Sequence, residues 1–259
     1  VYRRVMSDQL TPVLAYRRLV RPDGRMAPSF LFESVIGGER VGRYSFMGAQ
    51  PAAQVIARGH EVQYIDSNNP SMSRTYTAND PVSEMAKLTE TWKLVEVDGL
   101  PDFTGGWVGY AGYDVVRYLE GESLPNAPQD DRQLADMHMQ LYRQIIVFDN
   151  VLKLVLIITH AMLDEHATLR AAYDAASAEL DQLVDIIKTP AVSSAGQAEL
   201  APGEVVTDNQ PPDLPAGNMS PDQYMQAVQR AKEYIAAGDI FQVVLSQRFE
   251  LKTTADPFD

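Results

Sequence analysis

The stretch Arg143-Gln144-Ile145-Ile146-Val147-Phe148-Asp149-Asn150-Val151-Leu152-Lys153-Leu154-Val155-Leu156-Ile157-Ile158-Thr159-His160 decides the fold. Two runs rich in β-branched residues flank a polar Asp149-Asn150 turn. This predicts an antiparallel hairpin, residues 144–148 returning as residues 152–159. The period then changes. Leu169, Tyr173, Ala176, Leu180, Leu183 and Ile187 recur at helical intervals with charge on the other side, which predicts a long amphipathic helix. Hairpins interleaved with amphipathic helices imply an α+β protein of layered antiparallel sheets, rather than a parallel doubly wound sheet.

Upstream, residues 29–35 and 43–47 read as strands flanking a Gly37-Gly38 turn. Residues 54–57 and 61–65 form a hairpin pattern around Gly59. Asp80-Pro81 opens a helix, an N-cap acceptor followed by proline at the first helical position, with Val82, Met85, Leu88 and Trp92 as its apolar stripe. The run Thr104-Gly105-Gly106-Trp107-Val108-Gly109-Tyr110-Ala111-Gly112-Tyr113-Asp114 has no Gly-Lys-Ser/Thr ending and misses the dinucleotide spacing. It suits a strand against which another backbone or ring packs closely.

Downstream, residues 189–219 lose periodicity and gather Pro190, Pro202, Pro211, Pro212 and Pro215, which predicts a linker. Ser220 and Gln223 then make a capping-box pair with Pro221 at the first helical position. Tyr224, Val228, Ala231 and Ile235 form the expected buried stripe, and Gly238 the left-handed stop. Residues 240–251 are expected to be a strand. Phe241, Val243, Leu245, Phe249 and Leu251 lie on one face, and Gln242, Ser246 and Arg248 lie beside Ile240 and Val244 on the other. That mixed face suits either a solvated edge or an offer of hydrogen bonds to a small polar ligand. The organisation is thus a domain over 1–188, a Pro-rich linker over 189–219 and the opening of a second domain over 220–259. The helix and strand after residue 220 need a partner surface to bury their apolar faces.

A chain of 259 residues, 45% hydrophobic and 22% charged, can build a core. Its formal charge of −13 argues against nucleic-acid binding. The absence of cysteine removes disulfides, thiolate catalysis and cysteine metal sites, and fits a cytoplasmic protein. Asp149, Asn150 and Lys153 interrupt the most apolar stretch, so no membrane span is expected. The start at Val1-Tyr2-Arg3-Arg4 lacks the apolar run of a signal peptide and reads as trimmed.

Few residues carry chemistry. His60, His138, His160 and His166 show no paired metal spacing, and structural or surface roles are expected. Asp130-Asp131 sits in a turn-like run and should be solvated. Glu33-Ser34, beside Leu31, Phe32 and Val35, is either a polar strand end or a binding pair. A carboxylate and a hydroxyl there can hold an α-amino group.

Several of these motifs together resemble anthranilate synthase component I, of the chorismate-utilising enzymes. They are Leu31-Phe32-Glu33-Ser34, Gly42-Arg43-Tyr44-Ser45, the glycine-rich run continuing through Glu120, residues 124–132 with Asp136-Met137-His138, and Tyr234 to Phe249. The resemblance implies conversion of chorismate and ammonia to anthranilate and pyruvate, the first committed step towards tryptophan. It implies a glutamine amidotransferase subunit as the ammonia source, and magnesium held by residues beyond Asp259. It also implies feedback inhibition by tryptophan at Glu33, Ser34, Tyr44 and Ser45, with a third element of that site in the C-terminal half of such enzymes. Gln242 would be the catalytic-site residue. Related isochorismate-forming enzymes carry a lysine base there, whereas a glutamine cannot take a proton and suits ammonia rather than water as nucleophile. This chain alone is expected to form no anthranilate. Aminodeoxychorismate synthase and a non-catalytic amino-acid-binding module are the rival readings.

Overall fold

The computed structural model describes residues 1–6, 10–20, 27–34, 42–121, 123–124, 126–127, 129–189 and 215–252. The chain divides into two compact units, Val1–Glu199 and Leu200–Asp259. The first unit contains, in chain order, β1 (Tyr2–Met6), α1 (Pro12–Leu19), β2 (Ser29–Phe32), β3 (Tyr44–Ala49), β4 (Ala53–Arg58), β5 (Glu61–Asp66), β6 (Arg74–Thr77), α2 (Glu84–Thr89), β7 (Gly106–Ala111), α3 (Val116–Glu120), β8 (Met137–Tyr142), β9 (Gln144–Asp149), β10 (Leu154–Thr159) and α4 (Leu169–Lys188). Two five-stranded antiparallel sheets result, ordered β1-β10-β9-β3-β2 and β6-β5-β4-β8-β7. The α+β expectation holds. Among the described residues no helix is long and apolar enough to cross a membrane.

The β9–β10 hairpin is central because both its faces are buried. Ile146, Phe148, Val155 and Ile157 join Leu180, Leu183, Val184 and Ile187 of α4 in one core. Ile145, Val147, Leu156 and Ile158 face the opposite way, into a second core with Phe30, Val108 and Tyr142. Alternation with period two sends neighbouring residues to opposite faces, so a strand covered on both sides must be apolar throughout. A third core lies under the second sheet, where Val82, Met85 and Leu88 pack against Val55, Ala57, Val62 and Met137.

Several expectations need correction. Leu169 and Tyr173 share the expected stripe yet are 71% and 50% exposed; the buried face of α4 starts at Ala172 and continues through Ala176, Leu180, Leu183, Val184 and Ile187. Trp92 lies past the end of α2 and stays partly exposed. Strand β2 ends at Phe32, so Glu33 and Ser34 follow the strand instead of lying within it. The Gly37-Gly38 turn, and residues 190–214 of the linker expected over 189–219, fall outside the described residues.

The second unit contains α5 (Pro221–Ala237). Its capping box is formed as expected, Ser220 N–H donating to Gln223 Oε1 at 2.8 Å and Gln223 N–H to Ser220 Oγ at 3.2 Å. Gly238 stops the helix at φ 83°. The expected buried stripe is absent: no residue of α5 is buried. The expected strand over 240–251 is also absent. Its backbone pairing among the described residues is one isolated bridge, Gly217 to Phe249, with Asn218 N–H donating to the Arg248 carbonyl at 2.9 Å. Phe241 and Leu251 are 92% and 82% exposed. A strand exists only by pairing along its length, and among the described residues one isolated bridge supplies no ladder to join.

Candidate functional site

The strand ends of β2, β3 and β9 bring a polar cluster to one corner of the first sheet. Register places Phe32 opposite Phe46 and Tyr44 opposite Asp149. Immediately beyond β2, Ser34 is tied to β3 twice. Its N–H donates to Ser45 Oγ at 3.1 Å and its hydroxyl to the Tyr44 carbonyl at 2.6 Å. Gly42 is required by this approach, since a Cβ there would come within 2.5 Å of the Ser34 side chain. The Ser45 hydroxyl is fully buried and also meets Asn150 Nδ2 at 3.4 Å. Both hydroxyls are therefore spent on holding the corner together.

Glu33 differs. It is exposed and makes no hydrogen bond or ion pair among the described residues, so its carboxylate remains available to a cation. Tyr44 is half-buried, with the Arg43 guanidinium 4.8 Å from its ring centroid. Arg43 in turn donates to Asp149 Oδ2 from Nη2 at 2.9 Å and from Nε at 3.2 Å. Burial by itself would raise the Asp149 carboxyl pKa. The bonds from Arg43 and from the Leu152 and Val151 amides outweigh that and hold it below the usual carboxylate range. The predicted residues Glu33, Ser34, Tyr44 and Ser45 thus do come together. Asp149 and Asn150 were visible in the sequence only as a turn, and the pairing across β3 and β9 that gives them a role has no local signal.

Gln242 is exposed, in the segment that forms no strand. No group of three or more His, Cys, Asp or Glu side chains suited to a metal ion is present among the described residues. Asp130 caps its own turn, accepting from the Arg132 and Gln133 amides. His60 meets the Ala78 carbonyl, His138 meets Gln54 Oε1, and His160 donates from Nε2 to the Thr104 carbonyl at 2.8 Å, which are structural roles.

Burial lowers the pKa of His160, against the opposing pull of its bond to Thr104, and burial with the Arg58 charge lowers that of His138. Folding therefore favours the neutral rings, and the unfolded chain, with imidazoles near 6.5, binds more protons as pH falls. The stability they contribute is complete above about pH 6.5 and is lost as pH drops through the lowered folded-state values. Thermal melting should accordingly fall between about pH 7 and pH 5. The fall should be smaller in His160→Gln, whose amide can still donate to Thr104; an identical pH profile in that variant would contradict the assignment.

An α+β sheet pair with a charged strand-end corner, and no metal-type cluster among the described residues, is the class this geometry defines. Residues 27–259 match the model of the chorismate binding enzymes, and the chain belongs to that family. It is 46% identical to anthranilate synthase alpha subunit 1, chloroplastic, of Arabidopsis thaliana, an alignment covering 100% of this chain and 44% of that protein. It is 31% identical to anthranilate synthase component 1 of Arthrobacter globiformis, covering 99% of this chain and 46% of that one. The solved anthranilate synthase component I of Streptococcus pneumoniae TIGR4 superposes with a TM-score of 0.63 at 25% identity, covering 99% of this chain and 50% of that chain. The chain spans about half the length of the curated relatives it matches.

Proposed function

We propose that this chain is part of an anthranilate synthase large subunit, which converts chorismate and ammonia to anthranilate, pyruvate and water. The observation that carries the reading is 46% identity across the whole chain to a plant anthranilate synthase alpha subunit, with a bacterial component 1 aligned over 99% of it. The partner is a glutamine amidotransferase subunit that delivers ammonia. Magnesium, bound by other residues of such an enzyme, supplies charge stabilisation at the substrate. Gln242 takes part once its strand is paired within a complete catalytic domain. Its amide then offers hydrogen bonds without accepting a proton, which is sufficient for ammonia, whose lone pair is already nucleophilic.

The corner of β2, β3 and β9 is the feedback site for tryptophan. Glu33 takes the α-ammonium by a charge-assisted hydrogen bond. Tyr44 lies beside it, while Ser34 shapes the corner through its bonds to Ser45 Oγ and to the Tyr44 carbonyl. The test is anthranilate fluorescence from chorismate, ammonium and magnesium in the natural gene product that carries these residues, with and without L-tryptophan. Anthranilate should form and tryptophan should suppress it. Glu33→Gln should raise the half-inhibiting tryptophan concentration by about tenfold or more, the scale of losing one charge-assisted contact. Accumulation of aminodeoxychorismate instead of anthranilate would transfer the assignment to that rival enzyme.

A further inference from the structure

The turn joining β9 to β10 reaches back over the strand-end corner. Asp149 is 4% exposed, and both its oxygens are occupied. Oδ1 accepts from the amides of Val151 at 3.0 Å and Leu152 at 2.9 Å, which closes the turn. Oδ2 accepts from Arg43 Nε and Nη2. The next residue, Asn150, receives the Gly42–Ser45 segment: its N–H donates to the Arg43 carbonyl at 2.7 Å and its Nδ2 to the Gly42 carbonyl at 3.2 Å. The turn therefore grips Arg43 by its side chain and by its backbone.

Arg43 keeps unused donors. A guanidinium has five N–H groups, and two are directed at Asp149 while half of the side chain remains in contact with solvent. An amino acid is a zwitterion, so a site whose carboxylate takes the ammonium needs a cation for the other end. Among the described residues Arg43 is a cation at this corner, its guanidinium carbon 4.8 Å from the Tyr44 ring centroid. We propose that Asp149 is a positioning residue for the amino-acid site: it orients the Arg43 guanidinium so that its free edge receives the ligand's α-carboxylate. This rests on the tryptophan-site reading above. The occupied Oδ1 makes Asp149→Asn a selective probe. The asparagine carbonyl can still close the turn, but its amide nitrogen donates where Arg43 requires an acceptor.

The experiment is a calorimetric titration of the natural gene product that carries these residues, with L-tryptophan and with tryptamine, which lacks the carboxylate. The unaltered gene product should bind tryptophan more tightly than tryptamine. Asp149→Asn should weaken tryptophan about fivefold and leave tryptamine within about twofold, because the lost contact is charge-assisted and specific to the carboxylate. The double variant Arg43→Gln/Asp149→Asn should bind no more weakly than Arg43→Gln alone, as expected for residues acting in series. If Asp149→Asn does not fold, Arg43→Lys keeps a cation beside Asp149 without the planar fork, and should still narrow the preference for tryptophan. Equal weakening of both ligands, or of neither, overturns the positioning role. Failure of the unaltered gene product to bind either ligand overturns the amino-acid site itself and this inference with it.

Discussion

Gly109→Ala is expected to lower the stability of the first unit by about 3 kcal/mol, the upper range for forcing extra atoms into a packed site. Gly109 lies in β7 opposite Met139 of β8. A Cβ at this position would run into the His138 carbonyl oxygen and lie 2.8 Å from the Met139 Cα. These are backbone atoms of the paired strand, so no side-chain rotation relieves the clash. The strands must separate, weakening the β7–β8 pairing that carries Trp107 and Val108 into their cores. Gly59→Ala is the control. Its φ is +53° but nothing lies within 4 Å of the added carbon, so only the left-handed backbone penalty of about 1 kcal/mol applies. Urea unfolding followed by tryptophan fluorescence should rank the two variants in that order. Equal midpoints would show that β7 and β8 do not approach as described.

Leu180→Ala should cost about 2–5 kcal/mol, the usual range for emptying a buried leucine site. Leu180 is fully buried among Leu19, Met47, Ile146 and Ile157, where α4 lies against the first sheet. Sheet residues behind it are held by strand pairing on both sides, so the cavity cannot collapse freely. At about 2–4 °C per kcal/mol for a unit of this size, melting should fall by roughly 10 °C. Leu169→Ala, on the same stripe but 71% exposed, should change stability by less than about 0.5 kcal/mol. Comparable losses in the two variants would refute the docking of α4 described above.

The same two leucines show where reading the sequence reaches its limit. Periodicity treats Leu169 and Leu180 alike, because a stripe is a property of one helix. How far a neighbouring sheet extends beneath that stripe is a property of two elements. Glu33-Ser34 was legible as an out-of-place polar pair, and the structure leaves Glu33 exposed while committing Ser34 to β3. The Asp149–Arg43 bond was not legible, since the residues are 106 positions apart and meet only through strand register.

Local chemistry in the sequence by itself determined the β9–β10 hairpin, the α4 period, the Ser220 capping box and the Gly238 stop. Each depends on contacts within a few residues, whose geometry the chain carries with it. Tertiary structure alone decided which ends of the stripes are buried, which polar side chains share the corner beside Glu33, and whether residues 240–251 become a strand. A strand's hydrogen bonds and a core's closure are supplied by other segments, and residue type can state the need for such a partner without providing it.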